Sequence, residues 1–264
     1  MNEVSDIMPI TKDAWQPLMG GRVNCLWKVG QIVVKQYAKN GNSPLFPNDP
    51  KAEVTALALL ARSGLSPTLL AHGQDWIAYK HLPGHTWQAD PATVATALKT
   101  LHAIDPLAMP LRVAPNGSVP LLAQAIAIAN LCSGPLPPPP PDLSIPETSA
   151  RLIHGDAVPG NMIHHNGKIT LIDWQCPALG DPTEDIATFL SPAMQWLYRG
   201  SALTIQEISV FRSNMPAKTM ARYDLLAPLY HWRMAAHCLW KSEQGATDYA
   251  MALQMELAAL QALP

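Results

Sequence analysis

Asp156, Asn161 and Asp173 are the residues whose types and spacing could do chemistry. They stand in polar turns of the stretch 152–187, LIHGDAVPGNMIHHNGKITLIDWQCPALGDPTEDIA. Phosphoryl transfer asks a protein for a carboxylate that orients and deprotonates the attacking hydroxyl, and for hard oxygen ligands that hold magnesium on the phosphates. Asp156, with Asn161 five residues on and Asp173 beyond a following apolar run, supplies a base and two magnesium ligands at the spacing that chemistry uses. Any one of these residues alone reads as readily as a turn or cap residue. The joint pattern carries the reading.

The elements around them must bring the three together. Asn161-Met162-Ile163 and Ile169-Thr170-Leu171-Ile172 are β-type runs joined by Asn166-Gly167-Lys168, which is a hairpin signal. Such a hairpin would return Asp173 to the loop that holds Asp156 and Asn161. After it, Gly180-Asp181-Pro182 opens a helix containing Glu184, Asp185, Ile186 and Phe189, with Asp181 as its N-cap.

His154-Gly155-Asp156, Asn161, Ile172-Asp173-Trp174, Gly180-Asp181-Pro182 and Asp185 together resemble the aminoglycoside phosphotransferase and choline kinase family, the small-molecule branch of the protein-kinase-like fold. The resemblance implies an α+β, two-lobed protein. Residues 1–82 would form a nucleotide-binding lobe, a small antiparallel sheet with one helix. Residues 83–264 would form a larger, mainly helical lobe with the catalytic loop, metal site and acceptor pocket. It implies ATP and Mg2+, with Asp156 as catalytic base and Asn161 and Asp173 as metal ligands. His154, Asp181 and Asp185 would be supporting residues, Asp185 bracing the catalytic loop through its backbone or His154. Val158 stands where a His is common and Gln175 where a Glu is common; neither carries a role in this mechanism.

Upstream, Gly20-Gly21 enters a strand through Asn24 to Val29, and Gly30-Gln31 turns it back into Ile32–Tyr37. A two-glycine turn is by itself only a hairpin. By resemblance, Gly20, Gly21 and Asn24 belong to a flap over the phosphates. Lys35, ending an apolar strand, matches the position whose ammonium contacts the α- and β-phosphates, or is a solvated edge lysine. Asp49 and Pro50 supply an N-cap and first-turn proline for a helix over 51–63. Glu53 in its first turn is favoured by the helix dipole, and by resemblance pairs with Lys35. Strands are expected at 68–72 and 76–82, where resemblance puts Lys80, His81 and Leu82 at the adenine. A helix is expected at 91–102, closed by a Leu101-His102 pair like that of relatives. Another is expected at 119–131, followed by a stiff proline run at 137–141 that spaces two helices. Helical patterns fill 205–211, 216–240 and 247–263.

With 264 residues the chain can bury a large core, and a net charge of -2 without any basic stripe excludes a nucleic-acid partner. The chain has no basic-then-apolar leader pattern and no 18-residue apolar run, so neither export nor a membrane is expected. Four scattered cysteines without C-x-x-C read as reduced thiols of a cytoplasmic protein, and no Cys or His set has zinc spacing. The expected partner is a small-molecule alcohol; the oligomeric state stays open.

Trp174, Trp196, Tyr230 and Trp232 are either core aromatics or a cage for a cationic acceptor. Acidic residues do not outnumber basic ones beyond Pro192, which weighs against a polycationic antibiotic. It favours choline, ethanolamine, thiamine or a similar metabolite alcohol. An aminoglycoside remains the alternative, and a nucleotide-binding scaffold without catalysis the alternative of another class.

Overall fold

Ile32–Gln36 explains how the amino-terminal part is built. Side chains alternate across a strand, so Val33 and Lys35 face one way and Val34 the other. All three are buried, so this strand is central and covered on both faces. The computed structural model describes residues 15–18, 21–105 and 110–263. Strands β1 (Gln16–Pro17), β2 (Cys25–Val29), β3 (Ile32–Gln36), β4 (Leu69–His72) and β5 (Trp76–Lys80) form an antiparallel sheet in the order β1-β2-β3-β5-β4. Val29, Val34, Trp76 and Ala78 pack together on one side. Val33, Ile77 and Tyr79 pack on the other with Ala56, Leu57 and Leu60 of helix α1 (Pro50–Leu59) and its end. Asp49 caps α1 by accepting from the Lys51 and Ala52 N–H groups. The helix stops at Leu59, short of the expected Ser63, and Gly64 (φ +73°) turns the chain toward β4.

The rest is mainly helical, giving an α+β molecule with a small sheet-based part and a larger helical part. Its elements are β6 (His85–Thr86), α2 (Pro91–His102), β7 (Arg112–Val113), α3 (Ser118–Ala129), β8 (Arg151–Ile153), β9 (Met162–His165), β10 (Lys168–Leu171) and β11 (Ala178–Gly180), then α4 (Thr183–Leu190), α5 (Pro192–Arg199), α6 (Ile205–Ser213), α7 (Ala217–Glu243) and α8 (Tyr249–Gln261). The sequence pattern did not separate α5 from α4; Ser191 divides them, its hydroxyl accepting from the Met194 N–H. Every residue of α4 is buried, because α7 and α5 pack against it and its Asp185 meets the backbone of His154 and Gly155.

The hairpin expected at the Asn-Gly turn is β9–β10. Asn166 (φ +49°) and Gly167 (φ +72°) both take the left-handed conformation that a two-residue turn matching strand twist requires. β6 pairs with β9, and β11 with β7 and β8. These two small sheets fix the ends of the loop that carries Asp156 and Asn161. The proline run joins α3 to β8, a helix to a strand rather than two helices. It is strapped to α7 by the Trp232 Nε1–H bond to the Pro137 carbonyl, 2.9 Å. Among the described residues no helix is long and apolar enough to cross a membrane.

Candidate active site

Lys35 faces inward from β3, and α1 brings Glu53 beneath it. The ammonium pairs with Glu53 Oε2 at 2.5 Å and with Asp173 Oδ1. Glu53 is held in turn by the Tyr37 hydroxyl at 2.5 Å and the Trp174 N–H at 3.2 Å. Burial alone would lower the pKa of Lys35; Asp173 and Glu53 outweigh it and hold the group at about 12. The lysine therefore stays charged, tying the strand, the helix and the end of β10 into one cluster.

Asp156 and Asn161 come from the loop between β8 and β9. Asn161 Nδ2 donates to Asp156 Oδ2 and to the Asp156 carbonyl, each at 3.0 Å. Its amide nitrogen is thus spent within the loop, and the carbonyl oxygen is the end left for a cation. Asp156 is buried; burial, then repulsion by Asp173, push its carboxyl up to about 8 against the Asn161 hydrogen bond and the charge of Lys35. A raised carboxyl in a cleft has the affinity a proton acceptor needs. Asp173 has a positive φ of 64° and keeps its side chain 32% exposed, so it enters the cleft from a tight turn.

The loop is braced from α4. Asp185 accepts from the His154 N–H at 3.0 Å and the Gly155 N–H at 2.8 Å, and from His102 Nε2 at 2.9 Å. The His102 that closes α2 thus meets the brace of the catalytic loop. His154 Nε2 donates to the Ile172 carbonyl at 3.0 Å, and Nδ1 accepts from the Asp156 N–H at 3.3 Å, so one buried imidazole links both arms of the site. Gly155 sits at φ +76° with its α-carbon against the Cys176 carbonyl, where a Cβ would come within 2.3 Å. Asp181 accepts from the Thr183 N–H at 3.0 Å at the start of α4 and pairs with Arg222 at 2.7 Å.

Burial would raise Asp185, but its His102 hydrogen bond, the electrostatic pull of His102 and the loop N–H donors hold it below the usual range. A depressed carboxyl stabilises the fold above the unfolded value of about 4 and loses that contribution as pH falls through the folded value. Asp185→Asn should cost about 1.5–3 kcal/mol at neutral pH. Thermal unfolding of the two proteins should show the gap narrowing below pH ~4; a gap independent of pH would rule out this charge as its source.

Lys35, Asp156, Asn161, Asp173 and Gly21 line one cleft of about 720 Å³. Gly20 lies outside the described residues. Asn24 also lines the cleft, but its amide is engaged internally: it exchanges hydrogen bonds with Asn48 and donates to Gln175 at 2.7 Å, clamping the flap rather than reaching outward. His81 and Leu82 reach the cleft, though the His81 N–H is already taken by the Gln31 carbonyl at 2.9 Å. Lys80 points to solvent because Tyr79 and His81 take the inward positions beside it.

Gln175 requires a correction. It is buried and accepts from Asn24 Nδ2 at 2.7 Å and from Lys35 Nζ at 3.3 Å, so it joins the flap to the lysine cluster. The four expected acceptor aromatics require another. Trp174 packs on His154, with ring centroids 4.4 Å apart. The Tyr230 hydroxyl bonds Thr183 at 2.8 Å inside the helical core. Trp232 anchors the proline run, and Trp196 packs half-buried in the cluster of α5, α7 and α8. None lines the cleft, because each faces a neighbouring element. The aromatics that do line its far end are Phe46, Tyr198 and Tyr249. The helical spacing that identifies core positions could not separate these two sets.

Residues 26–207 match the model of the phosphotransferase enzyme family. No curated protein matches the chain in sequence. Among solved structures, a choline/ethanolamine kinase family protein from Mesorhizobium loti superposes with a TM-score of 0.67 at 15% identity, covering 99% of this chain and 92% of that one. The choline kinase LicA from Streptococcus pneumoniae gives 0.62 at 18% identity, covering 97% of each chain. An ADP-bound aminoglycoside phosphotransferase gives 0.60 at 16% identity, covering 96% of each. The match over most of the chain shows that it belongs to the phosphotransferase enzyme family, as a small-molecule phosphotransferase.

Proposed function

We propose that the enzyme transfers the γ-phosphoryl group of ATP to a hydroxyl of a small molecule. The carrying observation is that Lys35, Asp156, Asn161 and Asp173, from three separate segments, converge on one cleft. Residues 1–82 then act as the nucleotide lobe and 83–264 as the lobe holding base and acceptor. The Asp173 carboxylate and the Asn161 carbonyl oxygen fit magnesium, which takes few protein ligands and completes its shell with phosphate oxygens and water. Bound there, magnesium would neutralise charge on the transferring phosphoryl group. Lys35, fixed by Glu53, orients the phosphates. Asp156 orients the acceptor hydroxyl and accepts its proton as the oxygen attacks. His154 and Asp185 hold the loop in the conformation that aims Asp156.

The acceptor is read more coarsely than the sequence suggested. The proposed cation cage is not at the cleft, so choline and ethanolamine keep only the charge balance beyond Pro192 in their favour. Arg22 and Lys241 line the far end of the cleft, which disfavours a polycationic aminoglycoside. ADP release from ATP and magnesium, measured against a panel of alcohols, tests the reading. Turnover with at least one acceptor is expected, and Asn161→Ala should raise the magnesium concentration needed for half-maximal rate. Failure to bind ATP would overturn it, and ATP binding without any turnover would favour the scaffold.

A further inference from the structure

Phe46, Tyr198, Tyr249, His237, Arg22 and Lys241 line the same cleft as Asp156, and their mutual contacts make them one chamber of it. The catalytic loop opens directly onto it. The Tyr198 ring lies against Gly160, so close that a Cβ there would meet Cδ1 at 2.5 Å. Arg22, next to the flap glycine Gly21, reaches over this ring and over Tyr249, at 5.3 and 5.5 Å from their centroids. The faces that could have caged a cationic head therefore already hold a guanidinium.

Among the described residues, two groups of the chamber lack a hydrogen-bond or ion-pair partner. Arg22 is paired with Asp248 at 2.7 Å, but among the described residues Lys241 forms no ion pair and has only the Trp240 ring 5.7 Å away. The end of α7 offers this cation some compensation, and among the described residues no carboxylate lies within ion-pair distance of it. Burial, and then Arg22, lower the pKa of Lys241, as expected for a cation beside another. His237 is 1% exposed and its Nδ1 has no hydrogen-bond partner. Its ring is fixed edge-on to Phe46 at 5.0 Å and to Tyr249 at 6.1 Å. Burial, with Lys241 and Arg233 nearby, holds it neutral at about 3, so it offers a hydrogen bond and no charge. A buried polar atom left unpaired in a cavity wall calls for an explanation, and a ligand is one.

The geometry points to an acceptor alcohol that carries an anionic group on an apolar, planar frame: the anion on Lys241 beside Arg22, the frame between Phe46, Tyr198 and Tyr249, and the hydroxyl toward Asp156. This rests on the phosphotransfer reading and narrows its acceptor class. A free carboxylate and a phosphate monoester share the required negative charge.

Calorimetry with three probes that share one frame and differ in charge tests the inference: hydroxymethyl-benzoate, hydroxymethyl-benzamide and aminomethyl-benzyl alcohol. Each is titrated into the whole protein with and without magnesium and a non-hydrolysable ATP analogue. The benzoate should bind about 10- to 100-fold more tightly than the amide, and the amine more weakly than either. Lys241→Gln should level the benzoate and the amide, and Lys241→Arg should preserve their order. Unfolding curves of both variants keep a folding defect apart from a binding defect. Equal or tighter binding of the amine, no binding of any probe, or an unchanged order in Lys241→Gln would overturn the inference. Loss of analogue binding would instead overturn the phosphotransfer reading, and the probes remain ranked in the nucleotide-free protein.

Discussion

Asp156→Ala lowers kcat by about 10²–10⁴-fold while leaving nucleotide affinity within a few-fold, the expected loss for a general base that does not touch ATP. Its effect on stability has the opposite sign. The carboxyl is buried and faces Asp173, and both raise the cost of holding it ionised. Removing it relieves that cost, while Asn161 keeps its bond to the backbone carbonyl of residue 156. The unfolding midpoint of Asp156→Ala should therefore equal or exceed that of the parent protein at neutral pH. Steady-state ADP release and calorimetric unfolding on the same preparation check both halves. Unchanged kcat would remove Asp156 from the reaction; a large fall in Tm would make it a structural residue.

Lys35→Met should do the reverse, losing stability and activity together. Glu53 is 1% exposed, and with the ammonium gone its carboxylate keeps only the Tyr37 hydroxyl and the Trp174 N–H. Stripping one partner from a buried pair costs about 3–5 kcal/mol. For a chain of this size that is a fall in Tm of roughly 6–20 °C. Replacing the pair with apolar residues of similar volume is often close to neutral. Lys35→Met combined with Glu53→Met should therefore recover much of the lost stability and none of the activity. Recovery of both would mean that the lysine matters only as the partner of Glu53. The paired variants separate a phosphate-positioning role from a packing role.

The sequence determined the chemistry of this protein and left the acceptor to the fold. Asp156, Asn161, Asp173 and the Asn-Gly turn lie within one short stretch, so local strand and turn propensities suffice to fix their spacing. The flap strand, Lys35 and the capped helix bearing Glu53 were legible for the same reason, since alternation and helix caps are short-range signals. That Glu53 meets Lys35, and that His102 meets Asp185, are contacts across 18 and 83 residues that only the packed lobes make. Gln175 stood out only as a departure from the family pattern, because an amide in a loop acquires a role only when Asn24 and Lys35 arrive from another segment. The far end of the cleft is the clearest case. Trp196, Tyr230 and Trp232 share the helical spacing of apolar residues with Tyr198 and Tyr249. Which rings face the cleft and which face the core depends on how α5, α7 and α8 rotate against one another. That rotation is set by burial of whole helix faces, a sum over many distant contacts that no local pattern encodes.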